Sequence, residues 1–153
     1  MFFDTDCAAV VHNIAYLRFI ETARTLLAEQ LGLALADMAK SQVYPVLVRT
    51  EIDYRKPAVL SDHLVIHGWL DRLERSRFWM SFAIRRPADE ALIVTCRQML
   101  AIVQMPAGKP VRPPAEWAQR WPHLRGEAAE PPALANRGER SSVPFHEHPH
   151  RSL

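Results

Sequence analysis

Four strand-like runs follow a single helical stripe, and that order limits the folds open to this chain of 153 residues. Val46, Val48, Thr50, Ile52 and Tyr54 alternate with Leu47, Arg49, Glu51 and Asp53, the period of two that marks a half-buried strand. Arg55-Lys56-Pro57 closes the run, because proline cannot donate to a ladder. Leu64, Ile66, Gly68 and Leu70 repeat the pattern, then Phe78, Met80, Phe82 and Ile84, and residues 91–105 form a long β-branched and apolar run. Turn signals at Ser61-Asp62, Glu74-Arg75-Ser76 and Arg86-Pro87-Ala88-Asp89 separate them. Short links between successive strands predict an antiparallel meander.

Ahead of the strands, Tyr16, Ile20, Ala23, Leu27 and Leu31 recur at helical spacing, with Phe19, Leu26 and Ala28 widening the stripe. Asn13 reads as the N-cap and Gly32 as the stop, which predicts a helix over about residues 14–31. Glu21 and Arg24 stand three apart, a modest surface pair. One long helix followed by one long sheet is α+β, with the sheet curled round the helix to bury its stripe.

Apolar residues make up 48% of the chain and charged ones 24%, the composition of one ordinary globular domain. Nineteen Lys and Arg against seventeen Asp and Glu leave a formal charge of +2, too small a bias for bulk nucleic-acid binding. Two cysteines, Cys7 and Cys96, make no disulfide framework and favour a reducing compartment. No apolar run approaches the ~18 residues of a membrane span, and no secretory pattern precedes Phe2-Phe3-Asp4, so the expected location is cytoplasmic. Proline is sparse through residue 103, at Pro45, Pro57 and Pro87, and dense afterwards. Trp117 and Trp121 suggest a short helix after Pro114 that packs on the sheet. Beyond it, Leu134, Val143, Phe145 and Leu153 are too few large apolar groups to offset ~1–2 kcal/mol per residue of lost backbone freedom. The chain therefore divides into a domain at 1–124 and a tail at 125–153 expected to be disordered.

The stretch richest in chemistry runs through Asp4, Thr5, Asp6, Cys7, Ala8, Ala9, Val10, Val11, His12 and Asn13. Two carboxylates lie just before a helix start, where unpaired N–H groups and a positive dipole end gather. Small residues at Ala8 and Ala9 leave room for a ligand to approach the backbone. A carboxylate beside such donors can serve as nucleophile or general base on an acyl group whose oxygen those donors bind. The plainer reading is that Asp4 or Asp6 caps a turn.

The run Asp4-Thr5-Asp6, Val10-Val11-His12-Asn13, Tyr16-Leu17 and Glu21-Thr22-Ala23-Arg24 resembles the hotdog-fold acyl-CoA thioesterases. Within them it is most similar to the 4-hydroxybenzoyl-CoA thioesterase and Tol–Pal-associated branch, over about residues 2–105. The resemblance implies a helix wrapped by an antiparallel sheet of about five strands, paired by its edge into a homodimer or homotetramer with sites at the subunit interface. It implies an acyl-CoA substrate hydrolysed to free acid and coenzyme A, with no further cofactor and no metal. By position, Asp6 matches the catalytic carboxylate and the backbone N–H at Asn13 the oxyanion donor, while Asp4 is left to turn capping. His12 is a further candidate, as pocket wall or proton carrier.

The chain departs from the family pattern in three places. Ala9 stands where glycine is usual, at a cost of about 1 kcal/mol if the position needs positive φ. His12 stands where an aromatic residue often precedes a His or Tyr. Little sequence precedes the motif to supply the family's first strand. These departures motivate the alternative of a non-catalytic acyl-CoA-binding or scaffold subunit. Arg75, Arg77 and Lys56 are candidates for the phosphates of coenzyme A, whereas Arg49, beside Glu51 and Asp53, reads as part of a cross-strand charge set. His63 and His67 read as sheet residues rather than metal ligands, and Cys96 as core. No G-x-G-x-x-G, Walker or G-x-S-x-G element points to dehydrogenase, NTPase or serine hydrolase chemistry.

Overall fold

Helix α1 spans Asn13–Gln30, within one residue of the expected limits at each end. Its N-cap is His12 rather than Asn13, which corrects the sequence reading. His12 has extended backbone angles (φ −68°, ψ 145°), and its Nδ1 accepts from the Ile14 N–H at 3.2 Å. The imidazole thus supplies the acceptor that a helix start needs, and Asn13 is already inside the helix. At the other end Gly32 takes φ +87°, as its place after the helix demands. Its N–H donates to Glu29 O at 3.0 Å and the Leu33 N–H donates to Ala28 O at 2.8 Å, the paired closure that a left-handed glycine permits.

A computed structural model describes residues 9–125 and the backbone of Val143–His146. After α1 come α2 (Leu35–Ser41), β1 (Val43–Tyr54), β2 (Val65–Leu73), β3 (Arg77–Arg86), β4 (Ala91–Gln104), β5 (Lys109–Val111), α3 (Ala115–Arg120) and β6 (Val143–His146). The four long strands are those the alternation predicts. Helix α2 is an addition, one short turn-rich segment that buries Met38 and is too brief to carry a periodic signal. The sheet runs β1-β4-β3-β2-β6, antiparallel throughout, with β5 also paired to β4. Register shifts at Leu47/Arg49, Leu70/Arg72 and Ile84/Arg85 add local twist, which helps a sheet curl around a helix.

That curl closes the core. Tyr16, Ile20, Ala23 and Leu27 of α1, with Leu31 just after it, are buried with Ile66, Leu70, Phe78, Met80, Phe82 and Ile84 of the sheet. Gly68 lets α1 come close: a Cβ there would stand 2.9 Å from Phe82 Cε1 and 3.3 Å from Leu27 Cδ2. Helix α3 seals the far end as expected, with Trp117 and Trp121 buried and Trp117 Nε1 donating to Leu31 O at 2.8 Å. Cys96 is core, and burial pushes its thiol up to about 12. Within the tail, Arg125 bridges to Leu73, and β6 pairs with β2 from Gly68↔Val143 to Val65↔His146. The rest of the tail lies outside the described residues. Among the described residues no helix is long and apolar enough to cross a membrane.

Candidate active site

The approach to α1 is held by backbone from a distant loop. Val10 pairs with Val59, and the Val11 N–H donates to Ala58 O at 2.8 Å. The loop between β1 and β2 is itself fastened by Asp62, whose Oδ2 accepts from the Val59 N–H at 2.9 Å and from Arg86 Nη1 at 2.6 Å. Arg86 also donates to both carboxylate oxygens of Asp89 at 2.9 Å and to Pro57 O at 3.3 Å. The Val59 amide and the Arg86 guanidinium hold the Asp62 carboxyl below its usual range. Hydrogen bonding to Arg86 brings Asp89 down to about 2. In the sequence these residues read only as turn signals, since no local pattern announces a pair 24 positions apart.

Ala9, just before this bridge, has φ +60°. The position therefore does require the left-handed backbone for which glycine is the usual choice. Three residues on, His12 Nδ1 is committed to capping. Asn13, as the first helical residue, keeps its N–H outside the helical ladder, and that N–H takes no acceptor among the described residues. Tyr54, at the end of β1, donates its hydroxyl to Asn13 O at 3.3 Å. Beneath lies the buried ring of Tyr16, edge-on to Phe19 at 6.2 Å and tilted against Tyr54 at 5.9 Å. Burial raises the phenols of both Tyr16 and Tyr54. Ile14 and Tyr54 are about half exposed, which gives the helix start an apolar rim. Asp4, Asp6 and Cys7 lie outside the described residues.

The proposed phosphate-binding residues do not form one group within the chain. Lys56 lies in the loop after β1, at the end of the molecule where α1 begins. Arg75 and Arg77 lie in the turn into β3 and at its first residue, at the other end. Ten residues of β3 separate the two ends, roughly 30 Å at strand rise. Arg49 pairs with Glu51 at 2.9 Å, and Arg97 approaches Glu51 across the ladder at 3.9 Å, which realises the charge set read from the sequence. Arg24 makes the expected contact with Glu21 at 3.5 Å. It also donates to Gln98 Oε1 at 3.0 Å, and Gln98 passes a bond on to Thr50 at 3.3 Å. This partly buried polar chain joins α1 to β4 and β1, and no motif signals it. Beside it, Ala28, Leu33, Met38, Phe78, Met80 and Leu100 help to line an apolar cavity of about 230 Å³ under α2.

Residues 2–121 match the model of the thioesterase-like superfamily. The chain is 31% identical over 90 residues to the putative acyl-CoA thioesterase YneP of Bacillus subtilis, a match that covers 59% of this chain and 65% of that protein's length. It is 28% identical over 123 residues to the acyl-CoA thioesterase YbgC of Haemophilus influenzae, covering 80% of this chain and 89% of the relative. Among solved structures, a probable thioesterase from Bartonella henselae superposes with a TM-score of 0.65 at 29% identity, over 74% of this chain and 92% of that one. A helix wrapped by an antiparallel sheet, entered through a left-handed residue, fits the match along most of the sequence: the chain belongs to the thioesterase-like, hotdog-fold superfamily.

Proposed function

We propose that this protein hydrolyses acyl-CoA thioesters, with Asp6 as the reacting carboxylate and the Asn13 N–H as oxyanion donor. The observation that carries the reading is the first turn of α1, where an amide with no acceptor among the described residues sits at the positive end of an 18-residue helix. Negative charge that develops on a thioester oxygen is stabilised there by a donor already in place, which costs no reorganisation. Asp6 acts in one of two ways. As a nucleophile it bonds to the carbonyl carbon, the C–S bond breaks with its electrons going to sulfur, and water then cleaves the acyl-Asp anhydride. As a base it takes a proton from water, the hydroxide adds to the carbon, and the departing thiolate receives a proton. Both routes yield acid and coenzyme A from thioester and water, with no cofactor or metal. A thiolate leaves readily, so His12 can serve as cap and pocket wall without donating a proton.

The motif from Asp4 through Arg24 supports assignment to the 4-hydroxybenzoyl-CoA and Tol–Pal-associated branch. The buried, undisulfided Cys96 fits a cytoplasmic setting. Lys56, close to the helix start, is positioned to meet an anionic group on an incoming thioester.

Turnover of an acyl-CoA panel, read with a thiol reagent, tests the reaction. Asp6→Asn is expected to lose at least ~10²-fold in rate, the scale of a positioned acid–base group. Equal rates for variant and wild type would remove Asp6 from the mechanism. Calorimetry that finds acyl-CoA binding without turnover would instead favour the non-catalytic subunit.

A further inference from the structure

The cavity under α2 lies between the second half of α1, helix α2 and the first residues of β1, away from the chemistry at the helix start. Its floor is core, since Phe78 and Met80 are fully buried and Leu100 nearly so. Its mouth is open, with Leu35 68% and Leu47 42% exposed. Met38, the buried residue of α2, lines the wall between them.

This lining suits a hydrocarbon. Of the charged side chains on it, Arg24 already donates to Gln98 Oε1 at 3.0 Å and meets Glu21 at 3.5 Å, while Glu29 is exposed to solvent. A hydroxyl or charge carried to the floor would be buried among Phe78, Met80 and Leu100 without a partner. An aliphatic chain fits there and a hydroxylated ring does not. At roughly 30 Å³ for each water-sized group, a volume of about 230 Å³ takes about seven methylenes.

Such a chain does not reach the cavity from the helix start of the same copy. Arg24, the first α1 residue on the lining, stands roughly 16 Å along the helix from Asn13. Seven carbons at about 1.5 Å per bond fall short of that. A second copy closes the gap. Strand β1 ends the sheet and pairs with β4 alone among the described residues. A two-fold axis normal to the sheet would pair two β1 strands antiparallel and keep both α1 helices on one face. The Val43 end of one β1, beside the cavity mouth at Tyr44, Pro45 and Leu47, would then adjoin the Tyr54 end of the other. Tyr54 is bonded to Asn13 O at 3.3 Å, so the second copy's helix start comes with it.

We propose that this cavity receives the acyl chain of a thioester held at the helix start of a second copy, and that it selects saturated straight chains of about eight carbons. The proposal rests on the hydrolysis proposed above and names its substrate class. Met38 is then a specificity-determining residue, because it sets the depth of the cavity from the α2 side.

Turnover of saturated acyl-CoA thioesters from acetyl to palmitoyl, with 4-hydroxybenzoyl-CoA beside them, tests the selectivity. The value of kcat/KM is expected to rise about 4-fold per methylene to an optimum near octanoyl and then to fall, with the hydroxylated ring a poor substrate. Met38→Trp fills the cavity and should lower kcat/KM for octanoyl-CoA at least ~10-fold, moving the optimum to shorter chains. Met38→Ala enlarges it and should move the optimum to longer ones. A rate indifferent to chain length, or an optimum that neither variant moves, would overturn the proposal. Co-expression of Asp6→Asn with Met38→Trp tests the two-copy arrangement. Mixed pairs hold one site with Asp6 from one chain and an unfilled cavity from the other, so octanoyl-CoA turnover should exceed that of either variant alone. No recovery would place the acyl chain elsewhere. S-octyl-coenzyme A, a thioether that cannot be hydrolysed, separates the cavity from the reaction. Wild type that binds it more tightly than S-ethyl-coenzyme A, with the preference lost in Met38→Trp, yet hydrolyses no thioester would defeat the proposed reaction and leave the cavity standing. Equal affinity for the two thioethers would remove the cavity from substrate binding.

Discussion

Ala9 holds φ +60° where its Cβ crowds the backbone, at a cost of about 1–2 kcal/mol. Alanine recovers about 0.4–1 kcal/mol of that by narrowing the unfolded ensemble. Ala9→Gly is therefore expected to stabilise the chain by a net amount on the order of 0.5 kcal/mol. Urea unfolding reads this directly, and a destabilised glycine variant would show that the strain is compensated elsewhere. At this scale the sequence was informative about residue type more than about role. The acidic motif and the alanine at a glycine position were legible, since both are statements about composition at a fixed spacing. That His12 rather than Asn13 caps α1 was not, because either side chain offers an acceptor and only the backbone angles decide which is used. The convergence of Asp62, Arg86 and Asp89 was equally hidden, because contacts between distant positions have no local signature.

At the scale of elements, α1 and the four long strands were legible because each carries one strong period, 3.6 or 2, over nine residues or more. Helix α2 and β5 were not, being too short for periodicity to register. Gly68 read as a position on an apolar strand face, but its purpose appears only when α1 lies across it. Gly68→Ala forces a Cβ to within 2.9 Å of Phe82, whose ring is fully buried and has nowhere to retreat. Overpacking of this kind costs about 1–3 kcal/mol, so thermal or chemical unfolding should show a loss in that range.

The loop fastened by Asp62 and Asp89 gives a second expectation. Both carboxyls titrate below their unfolded values, so their contribution is complete above about pH 4, near the unfolded carboxyl pKa, and is lost as pH falls through the folded values. For Asp89 that folded value is about 2. Wild type should lose stability between about pH 4 and 2 more steeply than Arg86→Met, in which both carboxyls lose their cation. Parallel pH profiles of the melting temperature for the two proteins would contradict this.

The whole molecule leaves one long edge uncovered among the described residues. Strand β1 is terminal in the sheet, twelve residues long, and pairs on one side with β4 alone. Val46, Leu47 and Val48 stand 45%, 42% and 51% exposed in succession. An edge with an exposed apolar stretch and unpaired N–H and C=O groups would recruit further chains unless one symmetric partner closed it. A second copy related by a two-fold axis would do so, and antiparallel pairing of β1 with its mate would set the Val43 end of one strand beside the Tyr54 end of the other. That arrangement would bring each helix start close to the partner's sheet, as the interface site implied by the resemblance demands. Wild type is accordingly expected to sediment as a dimer or a larger even assembly at micromolar concentration. Val48→Lys places a charge in the edge and should raise the dissociation constant of the β1 contact at least ~10-fold, since an unpaired charge there must be desolvated. If turnover falls together with association, the edge contributes to the site. If the variant monomer keeps full activity, one chain suffices, and the edge serves assembly alone.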